Sequence, residues 1–223
     1  MDVELKEYTR NGIQLIAEAV RVTGPFFNKI PNDIIVRKMV KHDYGSALEH
    51  VYFTFELKDI SVALSRELLE HRMASHTAKS TRYVSQAKGL PFYMPPQIDG
   101  ALREKVKNHI EATWELYKQL EKDIDRESAR YVLPMGLKCT YVWTINCRSL
   151  LNFLRLRLCL NAAPEMQELA RKVKAIVIKQ YPEIFENVDC RGQQWGVCPE
   201  PYKRSCHKYP TTKKLKAAEE ENC

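Results

Sequence analysis

Val51-Tyr52-Phe53-Thr54-Phe55-Glu56-Leu57-Lys58-Asp59-Ile60 is the run that decides the class of fold. Val51, Phe53, Phe55 and Leu57 alternate with Tyr52, Thr54, Glu56 and Lys58, the two-residue period of a strand with one buried face. From Ser61 the period changes, and Val62, Leu64, Leu68 and Leu69 recur at helical spacing toward His71-Arg72. Upstream, residues 2–9 alternate loosely as a strand. Ile13, Leu15, Ile16, Ala19 and Val20 then predict a helix stopped by Thr23-Gly24-Pro25. Asn32 is placed to cap a second helix through about Lys41, and Ser46-Ala47-Leu48-Glu49 has capping-box spacing. Downstream the chain is polar through Tyr83. Leu102, Val106, Ile110, Trp114, Tyr117 and Leu120 then make residues 101–123 a long amphipathic helix. A short helix ends before Pro134, Tyr141, Trp143 and Ile145 lie in a strand, Ser149 to Leu158 is a helix, and Pro164 opens another. Both periods occur, so the expected class is α/β (α+β), a mixed sheet with flanking helices in a single domain.

Composition narrows the function. The 223 residues, 44% hydrophobic and 28% charged, exclude disorder or a disulfide miniprotein as a description of the whole chain. None of the eight glycines forms G-x-G-x-x-G or G-x-x-x-x-G-K, so no glycine cradle for phosphate is expected. Of the formal charge of +7, 3 units lie beyond Cys190 and the remainder is only mildly basic, which suits an anionic small ligand better than a nucleic-acid track. Seven cysteines, an N-terminus without an apolar signal region and no long apolar run point to a reduced, cytoplasmic, membrane-free protein. Regular patterning fades after Pro182. A catalytic domain over residues 1–189 is therefore expected, followed by a Cys- and Lys-rich tail, 190–223, with little core of its own.

Two stretches lack acidic residues. Between His71 and Gln97 stand Arg72, Lys79, Arg82 and Lys88 with no Asp or Glu, and between Lys138 and Pro164 stand Lys138, Arg148, Arg155 and Arg157. Joined by the fold, they would make a positive pocket for phosphates. Alternatively they are solvated faces whose counter-ions come from elsewhere. Arg148, Asn152 and Arg155 fall at i, i+4 and i+7, a polar stripe that would be costly to bury without an anion.

The run His71-Arg72, seven residues, then Ser80 and Arg82-Tyr83 resembles the signature of the flavin-dependent thymidylate synthases, the ThyX family, usually Arg-His-Arg-x7-Ser. Further matches follow in order: Ser46 with Glu49-His50, Arg130 before Leu133-Pro134, Asn146-x-Arg148-Ser149-Leu150, Asn152-Phe153-Leu154 and Arg157. Together they cover roughly residues 1–185. The resemblance implies a ThyX-like α/β fold, a homotetramer with shared active sites, and the anionic ligands FAD, dUMP, a folate and NADPH. Carried over by position, His71, Arg72 and Met73 would contact FAD with Ser46, Asn146, Arg148 and Asn152. Ser80, Thr81, Arg82 and Arg130 would hold dUMP, and Arg157 would stabilise the uracil anion as the catalytic residue. NADPH would reduce FAD, and methylenetetrahydrofolate would supply the carbon. A divergent enzyme modifying C5 of UMP or another pyrimidine nucleotide, and a non-catalytic nucleic-acid-binding protein, are the rival readings.

The sequence departs from that pattern in places. Glu70 stands where the signature has its first Arg, Glu67 where a Gln is common, Asp43-Tyr44-Gly45-Ser46 where Gly-His-Glu-Ser/Thr is usual, Ala78 where Glu or Gln is found and Asn161 where a His is frequent. Arg66, four residues before Glu70, is its expected ion-pair partner. Without the co-linear match, His71-Arg72 reads as a helix C-cap pair, Ser80 as a hydrogen-bonding serine without a His-Asp partner, and His50 as a packed structural histidine. Cys190, Cys198 and Cys206, eight apart and followed by His207, could form a Cys3His zinc site, against which ordinary tail thiols are the expectation.

Overall fold

The structure is a computed structural model that describes residues 1–212. Its strands are β1 (Asp2–Tyr8), β2 (Tyr52–Ser61), β3 (Ala74–Ala78) and β4 (Lys138–Asn146), which form one four-stranded sheet in the order β1-β2-β4-β3. The larger helices are α1 (Gly12–Arg21), α2 (Asn32–Lys41), α3 (Val62–Leu68), α4 (Gly100–Asp123), α6 (Cys147–Arg157) and α7 (Pro164–Gln180). Short ones are α5 (Arg126–Ala129), α8 (Pro182–Phe185) and α9 (Arg191–Trp195). This is the expected α/β class. The Thr9 N–H bonds to the Tyr52 carbonyl, and the Cys147 N–H to that of Val51, as antiparallel neighbours require.

Two compact units divide the described chain, one built from Met1–Glu4 and Phe55–Thr144, the other from Leu5–Thr54 and residues 145 onward. In the first, Phe55, Leu57, Ile60, Leu68, Trp143 and Tyr117 are buried, with Phe55 and Trp143 rings 5.9 Å apart. Each such side chain is worth roughly 1.5–3 kcal/mol on burial. The alternation along β2 slips at Asp59, whose φ of 58° inserts a second consecutive outward residue before Ile60 returns to the core. Ser61 ends the strand and caps α3, its Oγ accepting from the Leu64 N–H at 2.9 Å.

In the second unit Tyr8, Phe53, Tyr181 and Phe185 form an aromatic cluster, with Tyr8 stacked on Phe53 and the other ring contacts edge-on. The Tyr181 hydroxyl accepts from the Gly12 N–H at 2.9 Å and donates to the Thr9 carbonyl. A Cβ at Gly12 would lie 2.7 Å from that hydroxyl, so the clasp demands glycine. Residues 190–212 follow α8. Cys198 is the only buried hydrophobic among them, and its N–H bonds to the Pro210 carbonyl at 2.7 Å. Part of the basic tail, residues 213–223, lies outside the described residues.

Three local expectations are corrected. Asn32 is the first residue of α2 and not its cap: Pro31 precedes the helix, and the Asn32 side chain accepts from Arg21 Nη2 at 2.8 Å. Ser46–His50 is a 3-10 turn without a side-chain cap, so the capping box does not form. The polar stretch after Arg72 contains β3, which carries no apolar alternation because four of its five residues are Ser, His, Thr and a second Ala. Pairing with β4, and not hydrophobic burial, makes it a strand.

Candidate functional site

The residues singled out above fall into two sets, one in each compact unit. In the first unit α3 ends at Leu68 and the chain turns, with the His71 N–H bonding to the Leu68 carbonyl at 3.0 Å. His71 is half-buried, while Arg72 and Met73 are exposed. The His71 carbonyl lies 3.3 Å from His76 Nε2, whose Nδ1 meets the Tyr141 hydroxyl at 3.0 Å. Tyr141 thereby ties β3, the strand within the signature, to β4. Glu70 lies past the helix end, its N–H on the Glu67 carbonyl, and among the described residues it makes no ion pair with Arg66. The expected pairing fails because the helix stops before Glu70 can share a face with Arg66.

Beyond β3, Lys79 continues the sheet through the Thr140 carbonyl, and a turn follows in which the Val84 N–H reaches the Ser80 carbonyl at 3.1 Å. Ser80 Oγ accepts from the Arg82 N–H at 3.2 Å, and Ser80 and Thr81 stay partly open. Arg82 Nη2 pairs with Glu127 Oε2 at 2.8 Å, and Arg130 Nε donates to the Glu127 carbonyl at 3.1 Å. The fold thus gathers Arg82 and Arg130, 48 positions apart in the chain, on one residue. Glu127 was not visible as a site residue in sequence. Its only signal is its place on α5, whose N-cap Asp125 accepts from the Ser128 N–H at 2.9 Å and is held below the usual carboxylate range by the Ser128 side-chain and backbone bonds.

In the second unit Asn146 is buried and caps α6, its Oδ1 accepting from the Ser149 N–H at 2.8 Å. The carbonyl oxygen is spent on the helix, so the cap aims the residues that follow it. Arg148 Nη1 pairs with Glu49 Oε1 at 2.5 Å while more than half exposed. Its shaft crosses Gly45, beside the exposed Ser46, where an added Cβ would require the Arg148 side chain to shift. Asn152 Oδ1 accepts from Arg191 Nη2 at 3.0 Å. Arg155, only 11% exposed in its side chain, holds Asp43 at 2.9 Å and the Val40 carbonyl at 3.3 Å. Arg157 closes α6, half-buried.

The stripe therefore has protein partners at all three positions, and the counter-ions of the acid-free stretches come from outside them. The alternative of faces neutralised from elsewhere is the one these contacts support for Arg82, Arg148 and Arg155. The Cys3His grouping does not form either. Among the described residues no three His, Cys, Asp or Glu side chains are placed to hold a metal. Cys190, Cys198 and Cys206, with Cys159, instead line a cavity of about 380 Å³ beside Leu156, Asn161 and Tyr209, where burial pushes the Cys159 thiol up.

In this α/β chain Arg82 and Arg148 each meet one carboxylate while about half exposed, which leaves guanidinium donors within reach of an anion. Sequence comparison makes the assignment specific. The profile of the "Thymidylate synthase complementing protein" family matches residues 4–183, and the chain belongs to that family. It is 35% identical over 202 residues to a flavin-dependent thymidylate synthase of Sulfurisphaera tokodaii, covering 84% of this chain and 77% of the relative. A flavin-dependent thymidylate synthase of Pyrococcus abyssi is 33% identical over 217 residues, 89% of each chain. Among solved structures, Thymidylate Synthase X from Helicobacter pylori with FAD and dUMP superposes with a TM-score of 0.71 at 27% identity, over 84% of this chain and 98% of that one.

Proposed function

We propose that this chain is a flavin-dependent thymidylate synthase that converts dUMP to dTMP in the cytoplasm as a homotetramer. The observation that carries the reading is that Arg82 and Arg130, which the resemblance assigns to dUMP, meet on Glu127 within the family-matched segment.

Arg82 and Arg130 present guanidiniums whose fork geometry matches a nucleotide phosphate, and Ser80 and Thr81 add hydroxyl donors beside them. An exposed ion pair such as Arg82–Glu127 is worth only about 0–1 kcal/mol, so a dianionic phosphate competes for Arg82 successfully. By the family pattern, Arg157 would supply the permanent positive charge that stabilises a uracil anion as the ring is activated. For FAD, the family pattern would draw a cation and an apolar contact from exposed Arg72 and Met73 in the first unit, and a hydroxyl, a cation and an amide from exposed Ser46, Arg148 and Asn152 in the second. His71 and Asn146 fix the turn and the helix that present them. The chemistry that bound FAD would supply, once reduced by NADPH, is the hydride that completes the C5 methyl group, whose carbon would come from methylenetetrahydrofolate.

The test is tritium release from C5-labelled dUMP by the purified, flavin-loaded protein, with methylenetetrahydrofolate and NADPH each omitted in turn and UMP run beside dUMP. Release that needs both cosubstrates and favours dUMP supports the reading. Release from UMP alone transfers it to the ribonucleotide, and a colourless protein that releases no tritium ends it.

A further inference from the structure

The loop of residues 79–89 carries Ser80, Thr81 and Arg82, and side chains so far without a role fix its shape. Three donors converge on Glu121 of α4: Ser85 Oγ at 2.6 Å, Tyr117 Oη at 3.2 Å and Arg126 Nε at 2.5 Å. Its side chain is 13% exposed, on a helix whose only buried residue is Tyr117. Arg126 continues the chain of contacts, donating from Nη1 to the Tyr83 carbonyl at 2.9 Å.

A second set of bonds reaches the same loop. The Gln86 N–H lies 3.4 Å from the Tyr117 hydroxyl, and Trp114 Nε1 donates to the Gln86 carbonyl at 3.0 Å. Gln86 itself is 5% exposed and donates from Nε2 to the Val84 carbonyl at 3.1 Å. These contacts end on residues 83–86, within four positions of Arg82. Burial alone would push the Glu121 carboxyl up, but the bonds from Ser85, Arg126 and Tyr117, with the Arg126 charge, hold it below the usual range. The carboxylate thus stays charged and fully engaged at neutral pH.

The arrangement joins a loop with no apolar anchor of its own to the most regular element of its unit. We propose that Glu121 is a positioning residue for nucleotide binding: through Ser85 and Arg126 it holds loop 79–89 in the shape that presents Ser80, Thr81 and Arg82 to an anionic pyrimidine nucleotide. A preorganised loop avoids the ordering cost that a loose one would incur on binding. The role rests on the proposed function, since it assigns that loop to dUMP. Glu121 touches no ligand and acts only through its neighbours.

The experiment compares the flavin-loaded parent with Glu121→Gln and Ser85→Ala. Amide exchange of residues 80–89 should quicken in both, more in Glu121→Gln, while exchange in α6 and the FAD content stay at parent values. The KM for dUMP should rise about tenfold in Glu121→Gln and about threefold in Ser85→Ala, with kcat at saturating dUMP within about twofold of the parent. Ser85→Ala deletes the bond to Glu121 and the one that Ser85 Oγ accepts from the Ala87 N–H at 3.0 Å, and leaves the Arg126 contact in place, so it tests the tether without threatening the fold. Unchanged exchange in the loop overturns the tether. Faster exchange with an unchanged KM overturns the positioning role. A parent that binds no dUMP, with the exchange pattern as expected, overturns the nucleotide reading and with it the role given to Glu121.

Discussion

Arg82 and Arg155 make ion pairs of nearly equal length, 2.8 and 2.9 Å, yet they stand in opposite surroundings. The Arg82 side chain is 46% exposed and its partner Glu127 53%, whereas Arg155 is 11% exposed and spans both Asp43 and the Val40 carbonyl. Water screens the first pair and leaves it exchangeable. The second guanidinium is largely covered although Asp43 itself is 68% exposed, and it pins a turn in which Asp43 sits at a φ of 58°. Two arginines that look alike in an acid-poor sequence therefore differ in what they can do: Arg82 is open to solvent and, under the proposed function, to a ligand, whereas Arg155 is covered and committed to the fold.

Removing each arginine should break that contrast in a different assay. Arg155→Ala has the largest expected effect, a loss of about 2–3 kcal/mol of stability from the two charge-assisted bonds, read as a fall in the denaturant midpoint. Arg82→Ala should leave the midpoint within about 0.5 kcal/mol of the parent. Its dUMP affinity, by titration calorimetry, should fall by roughly 10- to 100-fold, the worth of one charge-assisted contact. A destabilised Arg82→Ala protein, or an Arg155→Ala protein as stable as the parent, would erase the distinction.

Glu127→Gln sharpens the comparison from the carboxylate side. Freeing Arg82 from an exposed partner should tighten dUMP by about two- to fivefold, with the gain shrinking at high salt as screening removes the competition. Weaker binding would mean that Glu127 aims Arg82 and does not compete for it.

The smallest effect concerns pH. The pKa of Glu121 is lowered in the folded chain, so its contribution to stability is complete above the unfolded carboxylate value and is lost as pH falls through the folded one. The stability difference between the parent and Glu121→Gln should be flat from neutral pH to about pH 5 and close below about pH 4. A difference that grows on acidification would contradict the ionised, hydrogen-bonded state of that carboxylate.

Much of this was legible beforehand where the signal is local. The alternation of Val51, Phe53, Phe55 and Leu57 gave β2, and all four are fully buried. The period from Leu102 to Leu120 gave α4 to within a residue at its N-terminus. Periodicity said less about burial: α6 buries Cys147, Leu150, Leu151, Phe153 and Leu154, whereas α4 buries only Tyr117 and leaves Leu102 59% exposed. A repeat of apolar residues reports which face is apolar, not what covers it. β3 escaped notice because its Ser-His-Thr run has no apolar period, and the Asp59 bulge because one residue cannot announce a change of register.

The co-linear order of His71, Arg72, Ser80, Arg82, Arg130, Asn146, Arg148, Asn152 and Arg157 pointed to the family from the sequence alone, since such a series depends only on residue identity and spacing. What each charge does was decided in three dimensions. Glu127 met Arg82 across 45 positions, Glu49 met Arg148 across 99 and Asp43 met Arg155 across 112. Electrostatic partnership follows distance through space and exposure to water, neither of which is written in the order of residues along the chain.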